Sequence, residues 1–283
     1  MCVMISRREL LAFWEKRFEE GCLDSPRLSS QVLLAHVLNL PRLEMLLDPR
    51  AIVSSAAAEN MERLARRRLR SEPVAYLVGV KEFYGLDFEV NPGVLIPRPE
   101  TELMVDRLRE TFSPSACERL LDLGTGSGAL AVTCAKVFPH CRIVASDISM
   151  AALCTARRNA VRHDVCERVS FVRSDLVDAV RLDEFDVILA NLPYVPAASR
   201  ATMSREVLDH EPESALFAGG DGLDMYRRLA CDVAGRVAEG TRLLCEIDHT
   251  QGAGMQGLFE RVARSVSIEK DYAGHDRLVV VVF

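Results

Sequence analysis

The stretch Leu121-Asp122-Leu123-Gly124-Thr125-Gly126-Ser127-Gly128-Ala129-Leu130 decides the fold. An apolar run enters a glycine-rich turn and leaves it as a helical pattern, the strand-turn-helix junction of an open α/β sheet. Glycine permits the sharp turn and lets a ligand approach the backbone with no Cβ in the way. A dinucleotide site wants Gly-x-Gly-x-x-Gly, and here the third glycine comes one residue early. A phosphate loop wants Gly-Lys-Ser/Thr, which is absent. The turn from Gly124 through Thr125, Gly126 and Ser127 to Gly128 therefore suits a ligand without phosphates.

Outward from this junction, short apolar runs alternate with helical patterns: Arg119 to Leu123, Arg142 to Ala145, Val169 to Val172, Asp186 to Ala190, Arg242 to Ile247 and Leu278 to Phe283. Such alternation predicts a parallel sheet covered on both faces. The second run ends in Asp147, where a carboxylate can accept both hydrogen bonds of a ribose diol. The third ends in Asp175-Leu176, an acid for an exocyclic amine and an apolar side chain for the face of an adenine. Turn, acid and acid on successive strand ends fit an adenosine-bearing cofactor of the S-adenosylmethionine kind.

Upstream, apolar residues recur at helical spacing from Ser6 to about Arg70: Leu10, Trp14 and Phe18; Leu28, Val32, Ala35 and His36; Met61, Leu64, Ala65 and Arg68. Pro26, Pro41 and Pro49 punctuate these helices. The basic run Arg66-Arg67-Arg68 reads as a solvated face, and His36 as a packed helix residue. Between Glu72 and Glu102 prolines and glycines break any helix, while Phe83, Tyr84, Phe88 and Val90 suggest a β-hairpin linker.

The 283 residues carry 35 Lys+Arg against 41 Asp+Glu, a net charge of −6, with 49% hydrophobic and 27% charged residues. That composition supports a full core and argues against nucleic-acid binding, which wants a basic stripe. No run reaches the roughly 18 apolar residues of a membrane span, and Met1 to Glu20 lacks the continuous apolar core of a secretory signal. A cytoplasmic monomer is expected. The nine cysteines, at 2, 22, 117, 134, 141, 154, 166, 231 and 245, form no Cys-x-x-Cys pair, so no metal is expected, and Cys134 and Cys245 read as buried small hydrophobes.

The fourth run delivers Asn191-Leu192-Pro193-Tyr194 to the edge where open α/β sheets bind ligands. This tetrapeptide resembles the Asn-Pro-Pro-Tyr motif of enzymes that methylate a planar NH2 group. An amide nitrogen is a poor nucleophile because its lone pair is delocalised, so a site must accept both N–H groups and orient the nitrogen. The Asn191 side-chain oxygen can take one N–H and the Leu192 carbonyl the other, with the Tyr194 ring on the planar group. Leu192 stands where the motif has its first proline. The carbonyl survives this change but the fixed φ of proline does not, and a looser loop is expected.

Further strings carry the resemblance to one family: Pro73-Val74-Ala75-Tyr76-Leu77-Val78-Gly79, Lys81-Glu82-Phe83-Tyr84-Gly85-Leu86, Leu95-Ile96-Pro97-Arg98-Pro99-Glu100-Thr101-Glu102, the segment Glu211 to Leu223, and Tyr272-Ala273-Gly274-His275-Asp276-Arg277. Over nearly its whole length the chain resembles the protein-(glutamine-N5) methyltransferases of peptide release factors, the HemK or PrmC family. The resemblance implies a Rossmann-like, seven-stranded class I methyltransferase domain over 103–283, after a helical substrate-binding domain over 1–72 and a β-hairpin linker over 73–102. It implies S-adenosyl-L-methionine as cofactor, held by Gly124 to Gly128, Asp147, Leu176 and Asn191. It also implies, as target, the glutamine of the Gly-Gly-Gln loop of class 1 release factors, in a pocket made by Asn191, Leu192, Pro193 and Tyr194. In Glu246-Ile247-Asp248-His249 the family more often has Glu-Ile-Gly, and Asp248 and His249 receive no role. The rival readings are a nucleic-acid adenine methyltransferase, which shares the tetrapeptide idea, and a cofactor-binding module inactivated by Leu192.

Overall fold

The computed structural model describes residues 5–113 and 115–283. The chain divides into two compact units, one formed by the described residues up to Val80 together with Ser204–His210, the other by Lys81–Met203 with Glu211–Phe283.

The first unit contains β1 (Ile5–Ser6), α1 (Arg7–Glu20), α2 (Pro26–Leu38), α3 (Arg42–Leu47), β2 (Ile52–Val53), α4 (Ser55–Arg68) and α5 (Val74–Val78). Ser6 starts α1 with a reciprocal cap: its hydroxyl accepts the Glu9 N–H, and the Glu9 carboxylate accepts the Ser6 N–H at 2.9 Å. Leu10, Trp14 and Phe18 of α1 pack with Leu33 and Leu34 of α2, Met45 of α3, and Met61 and Leu64 of α4.

Three expectations are corrected here. Val74–Val78, in the stretch expected to hold no helix, forms α5, with Pro73 before its first residue and Gly79 after its last. In α2 the core takes Ser30, Leu33, Leu34 and Ala35, while Leu28 is 45% exposed and His36 faces solvent. Apolar residues ring this helix, so spacing alone leaves its rotation open and packing against α1 and α4 selects the Leu33-Leu34 face. In α4, Arg68 is not solvated but buried at 2% exposure, on the same face as Met61, Leu64 and Ala65. Its guanidinium meets the Glu206 carboxylate at 2.8 Å and donates to the carbonyls of Glu72 at 3.1 Å and Asp24 at 3.4 Å.

The second unit opens with β3 (Val80–Phe83) and β4 (Leu86–Glu89), paired and joined through Tyr84 and Gly85, both left-handed at φ 53° and 74° as a tight hairpin turn requires. There follow α6 (Glu102–Thr111), β5 (Arg119–Leu123), α7 (Ala129–Val137), β6 (Arg142–Asp147), α8 (Met150–Arg162), β7 (Val169–Arg173), β8 (Val187–Ala190), α9 (Arg205–His210), α10 (Asp224–Val233), β9 (Arg242–Glu246), α11 (Gly252–Phe259), β10 (Ser265–Lys270) and β11 (Asp276–Val282), of which α9 falls in the first unit.

Seven strands form one sheet in the order β10-β11-β9-β8-β5-β6-β7, with β11 antiparallel to both neighbours and β9 to β7 mutually parallel. This is the Rossmann-like arrangement. Side chains alternate between two cores, Leu120, Val187 and Leu244 on one face and Leu121, Ile188 and Leu243 on the other. Register aligns the carboxyl ends, because Leu123 pairs with both Ser146 and Ala190, and Ala190 with Cys245. Gly124, Asp147, Asn191 and Glu246 thus emerge together at one edge, where strand order reverses beside β5.

One strand, β10, was not expected, although its Ser-Val-Ser-Ile alternation turns Val266 and Ile268 to the core. It is an edge strand of sequence Ser-Val-Ser-Ile-Glu-Lys with no fully buried residue. Among the cysteines, Cys117, Cys134, Cys141 and Cys245 are buried and Cys22, Cys154 and Cys231 exposed, while Cys2, with the rest of residues 1–4, lies outside the described residues. Among the described residues no helix is long and apolar enough to cross a membrane.

Candidate active site

At the carboxyl edge of the sheet lies a cavity of about 320 Å³, lined by Gly124 and Gly126 of the turn, Ser146 to Ser149 after β6, Ser174 and Leu176 after β7, and Asn191 to Pro193 after β8. Gly93 to Leu95 and Pro212, Ser214 and Ala215 close it. Its volume is that of a small-molecule site. A second, narrower cleft of about 50 Å³ shares Leu95, Gly124, Gly126 and Asn191 and adds Thr101, Asp122, Thr125 and Ser127. Asn191 belongs to the walls of both.

The turn is held from two sides. Thr125 N–H donates to the Ser146 carbonyl at 2.9 Å, and the Thr125 hydroxyl donates to Asp122 Oδ2 at 2.6 Å. Asp122 also accepts the Ala131 N–H at 3.2 Å from the first turn of α7. Burial raises the Asp122 carboxyl to about 6, against the pull of these two donors. Gly128 sits at φ 81°, and a Cβ there would meet the Ala156 Cβ at 2.9 Å, so glycine sets how closely α7 approaches α8. Gly128 lines neither cavity.

Asp147 accepts the Gly126 N–H at 3.0 Å on Oδ2 and the Ser149 N–H at 2.8 Å on Oδ1. Each oxygen keeps a further lone pair for a ligand hydroxyl. Burial pushes the Asp147 carboxyl up, while those backbone donors hold it down. Leu176 lines the cavity in the left-handed region at φ 45°, a strained conformation for a residue with a Cβ. Asp175 lies off the wall: its carboxylate pairs with Arg228 at 2.9 Å, and Ser174 is the polar residue of that strand end which faces the cavity.

The Asn191 side-chain nitrogen donates to Thr101 Oγ1 at 3.1 Å and to Glu246 Oε2 at 3.0 Å, and the Thr101 hydroxyl donates to the same Glu246 oxygen at 2.6 Å. The Tyr194 hydroxyl donates to Glu246 Oε1 at 2.9 Å. Glu246, the last residue of β9, is buried, and burial raises its carboxyl while Thr101 and Tyr194 lower it. Burial and the Glu246 charge also hold the Tyr194 phenol well above its ordinary value. Leu192 lines the cavity with its side chain packed in the core, and a Cβ on Gly124 would lie 3.2 Å from Leu192 Cδ2.

The loop with Leu192 at the motif's first proline position is tied by hydrogen bonds from its neighbours. Val195 N–H donates to the Leu216 carbonyl at 2.8 Å, and Gln251 Nε2 donates to the carbonyls of Tyr194 at 2.8 Å and Asp221 at 3.0 Å. Gln251 is in turn fixed by the Asp248 N–H, which donates to its Oε1 at 3.0 Å. Asp248 thereby serves the turn before α11, accepting the Thr250 N–H and O–H as well.

A family model for the PrmC N-terminal domain matches residues 9–79, and one for the methyltransferase small domain matches residues 99–223. A relative from Nitratidesulfovibrio vulgaris named release factor glutamine methyltransferase is 40% identical over 95% of this chain and 92% of its own. One of the same name from Chlorobaculum tepidum is 38% identical over 95% and 94%. The chain belongs to the release factor glutamine methyltransferase family. Among solved structures, the Thermus thermophilus 16S rRNA N2 G1207 methyltransferase in complex with AdoMet and guanosine superposes with a TM-score of 0.54 at 17% identity, over 72% of this chain and 49% of that one, a likeness of fold.

Within that family frame, the structure brings Gly124, Gly126, Asp147, Leu176, Asn191, Leu192 and Pro193 to one cavity, and Thr125 and Ser127 to the adjoining cleft. Tyr194 stands behind the wall on Glu246. Thr101 and Glu246 went unassigned in the sequence, although Glu246 obeys the rule that selects Asp147, an acid at the carboxyl end of a parallel strand.

Proposed function

We propose that this protein transfers a methyl group from S-adenosyl-L-methionine to the side-chain amide nitrogen of the glutamine in the Gly-Gly-Gln motif of class 1 peptide chain release factors, acting in translation termination. One observation carries the reading: Asn191 forms part of both the cofactor-sized cavity and the cleft beside it, so a donor in one and a target at the other meet at a single side chain. The residues present fit the cofactor. The turn has no Cβ at Gly124 or Gly126, the Asp147 carboxylate has acceptor capacity to spare for a ribose diol, and Leu176 supplies an apolar face for the base.

When bound, S-adenosyl-L-methionine supplies an electrophilic methyl group on a sulfonium. The protein's part is to hold and orient the acceptor. The Asn191 side-chain oxygen and the Leu192 carbonyl accept the two N–H groups of the target amide, while Tyr194, which lines neither cavity, holds the loop from behind through Glu246. As positive charge develops on the nitrogen, the same two oxygens stabilise it. Among the described residues one carboxylate lines the cavity, Asp147, and one the adjoining cleft, Asp122, and both are engaged by the turn, Asp147 through the Gly126 N–H and Asp122 through the Thr125 hydroxyl. The nitrogen therefore sheds its proton during or after transfer without a strong general base.

This reading makes the protein a cytoplasmic monomer whose partner is a release factor. A nucleic-acid adenine target is not favoured, given a net charge of −6 and full-length relatives named for release factor glutamine. The deciding experiment is methyl transfer from labelled S-adenosyl-L-methionine to a recombinant release factor beside its Gln→Ala loop variant. Label on the wild-type factor alone is expected; label on nucleic acid, or on neither protein, overturns the assignment.

A further inference from the structure

An Asn side chain offers a pocket either its oxygen or its NH2, and the two are set by what lies behind it. Behind Asn191 both N–H bonds are taken, one by Thr101 Oγ1 and one by Glu246 Oε2. The Thr101 hydroxyl has its single hydrogen on Glu246, so towards Asn191 it can only accept. The three groups close a ring in which one Asn191 N–H and the Thr101 hydroxyl end on the Glu246 carboxylate and the other Asn191 N–H ends on Thr101. No N–H is left for the cavity, and Asn191 presents an acceptor alone. The other Glu246 oxygen takes the Tyr194 hydroxyl, so a single buried carboxylate holds two residues of the tetrapeptide.

We propose that Glu246 is a positioning residue for methyl transfer: through Thr101 it locks the Asn191 amide with its oxygen towards the target, and it anchors Tyr194 at the same time. This rests on the reading of Asn191 as the acceptor for the target amide. Glu246 lines neither cavity, so it acts through these neighbours and not on the substrate. Its charge has a second effect. An amide with one N–H on a carboxylate, and the other on a hydroxyl that itself donates to that carboxylate, is polarised in a low-dielectric setting, with more negative charge on its oxygen. Asn191 becomes a stronger acceptor just where the target nitrogen turns positive. A pocket furnished with acceptors also selects a primary amide, which brings two donors, over a carboxylate, which brings none.

The test compares wild type with Glu246→Gln, Thr101→Val and Thr101→Ser, using three readouts. Calorimetry of S-adenosyl-L-methionine binding is expected to stay within about threefold of wild type in all, because neither Glu246 nor Thr101 lines the larger cavity. With the release factor as acceptor, kcat falls about tenfold to a hundredfold in Glu246→Gln and Thr101→Val, and Thr101→Ser recovers most of the loss by restoring the hydroxyl. In ¹⁵N-edited NMR of the cofactor-free protein, the Asn191 side-chain protons exchange slowly in wild type and in Thr101→Ser and at least about tenfold faster in the other two. Wild-type kcat in both Glu246→Gln and Thr101→Val, or equal amide protection in all four proteins, overturns the proposal. If Glu246→Gln fails to fold, the Val/Ser pair at 101 decides alone. If wild type methylates no release factor, the functional reading fails while the amide exchange still judges the positioning.

Discussion

The Asp147 carboxylate accepts the backbone N–H of Gly126 at 3.0 Å, which makes the end of β6 and the glycine turn after β5 one hydrogen-bonded unit. Replacing Asp147 by Ala removes the ribose acceptor and the support of the turn together. A hydrogen bond to a charged group is worth about 1.5–3 kcal/mol, so affinity for S-adenosyl-L-methionine should fall roughly tenfold to a hundredfold. Binding should also weaken as pH drops through a carboxyl pKa that burial has raised above 3.8, since the neutral acid accepts poorly. Calorimetric titration across pH measures both effects.

Asn191→Ala should divide binding from turnover. The cofactor keeps the turn, Asp147 and Leu176, while the target amide loses an acceptor that matters most in the transition state. We expect kcat to drop about a hundredfold or more with cofactor Kd changed by less than about tenfold. Parallel losses in both quantities would contradict this division.

Asp122 gives the fold a pH dependence of definite sign. Burial raises its carboxyl from 3.8 to about 6, with the Thr125 hydroxyl and the Ala131 N–H opposing. The folded protein therefore holds a proton that the unfolded chain has already released. The resulting stability is complete below about pH 4 and lost as pH rises through about 6, a change of order 2–3 kcal/mol. Asp122→Asn can keep both donors on its oxygen and has no such proton. Denaturation in urea at a series of pH values should show the stability difference moving by about that amount in favour of the variant between about pH 4 and 7.5.

Gly128→Ala combines two penalties. The left-handed backbone costs about 1–2 kcal/mol with a Cβ, and the contact at 2.9 Å with Ala156 adds about 1–3 kcal/mol of overpacking. Gly126→Ala faces nothing closer than the Gly124 carbonyl at 3.9 Å and should show the backbone part alone. Because the added Cβ would also lie 3.0 Å from the Ala156 Cα, and a glycine inside α8 costs about 0.5–1 kcal/mol of its own, adding Ala156→Gly to Gly128→Ala should recover only part of the packing share, as the double-mutant cycle reads in urea denaturation.

The ion pair of Arg68 and Glu206 is asymmetric in burial, 2% against 29% exposed, and its two halves should respond differently. Glu206→Ala leaves a buried guanidinium without its carboxylate and should cost about 3–5 kcal/mol. Arg68→Met removes the charge and leaves a carboxylate that reaches water, costing perceptibly less. Trp14, the single tryptophan, lies in the same core, so its fluorescence during unfolding reports on this unit.

What could be read from the chain follows from range. Leu120 and Leu121, Val187 and Ile188 are buried on opposite faces of the sheet, so their runs are apolar throughout and announce strands; β10 sits at an edge, half in water, and its signal shrinks to the short alternation Ser-Val-Ser-Ile. Asp147 and Asn191 were legible because strand ends in a parallel sheet share one edge. Thr101 was not, because its place beside Asn191 and Glu246 is made by contacts 90 and 145 residues away in the chain. The same holds for Arg68, whose partner lies far downstream, and for α2, whose rotation is chosen by its neighbours. Asp175 shows the converse. Its position in the chain matches the expected adenine contact, but a nearby arginine competes for the carboxylate.

The membership of Ser204–His210 in the helical unit sets an order of events while the chain is being made. Arg68 leaves the ribosome well before Glu206 has been translated, and at roughly ten residues per second the interval is on the order of ten seconds. Throughout it the guanidinium has the Glu72 and Asp24 carbonyls within reach but not its carboxylate. The unit synthesised first is thus completed only after most of the sheet's strands have emerged.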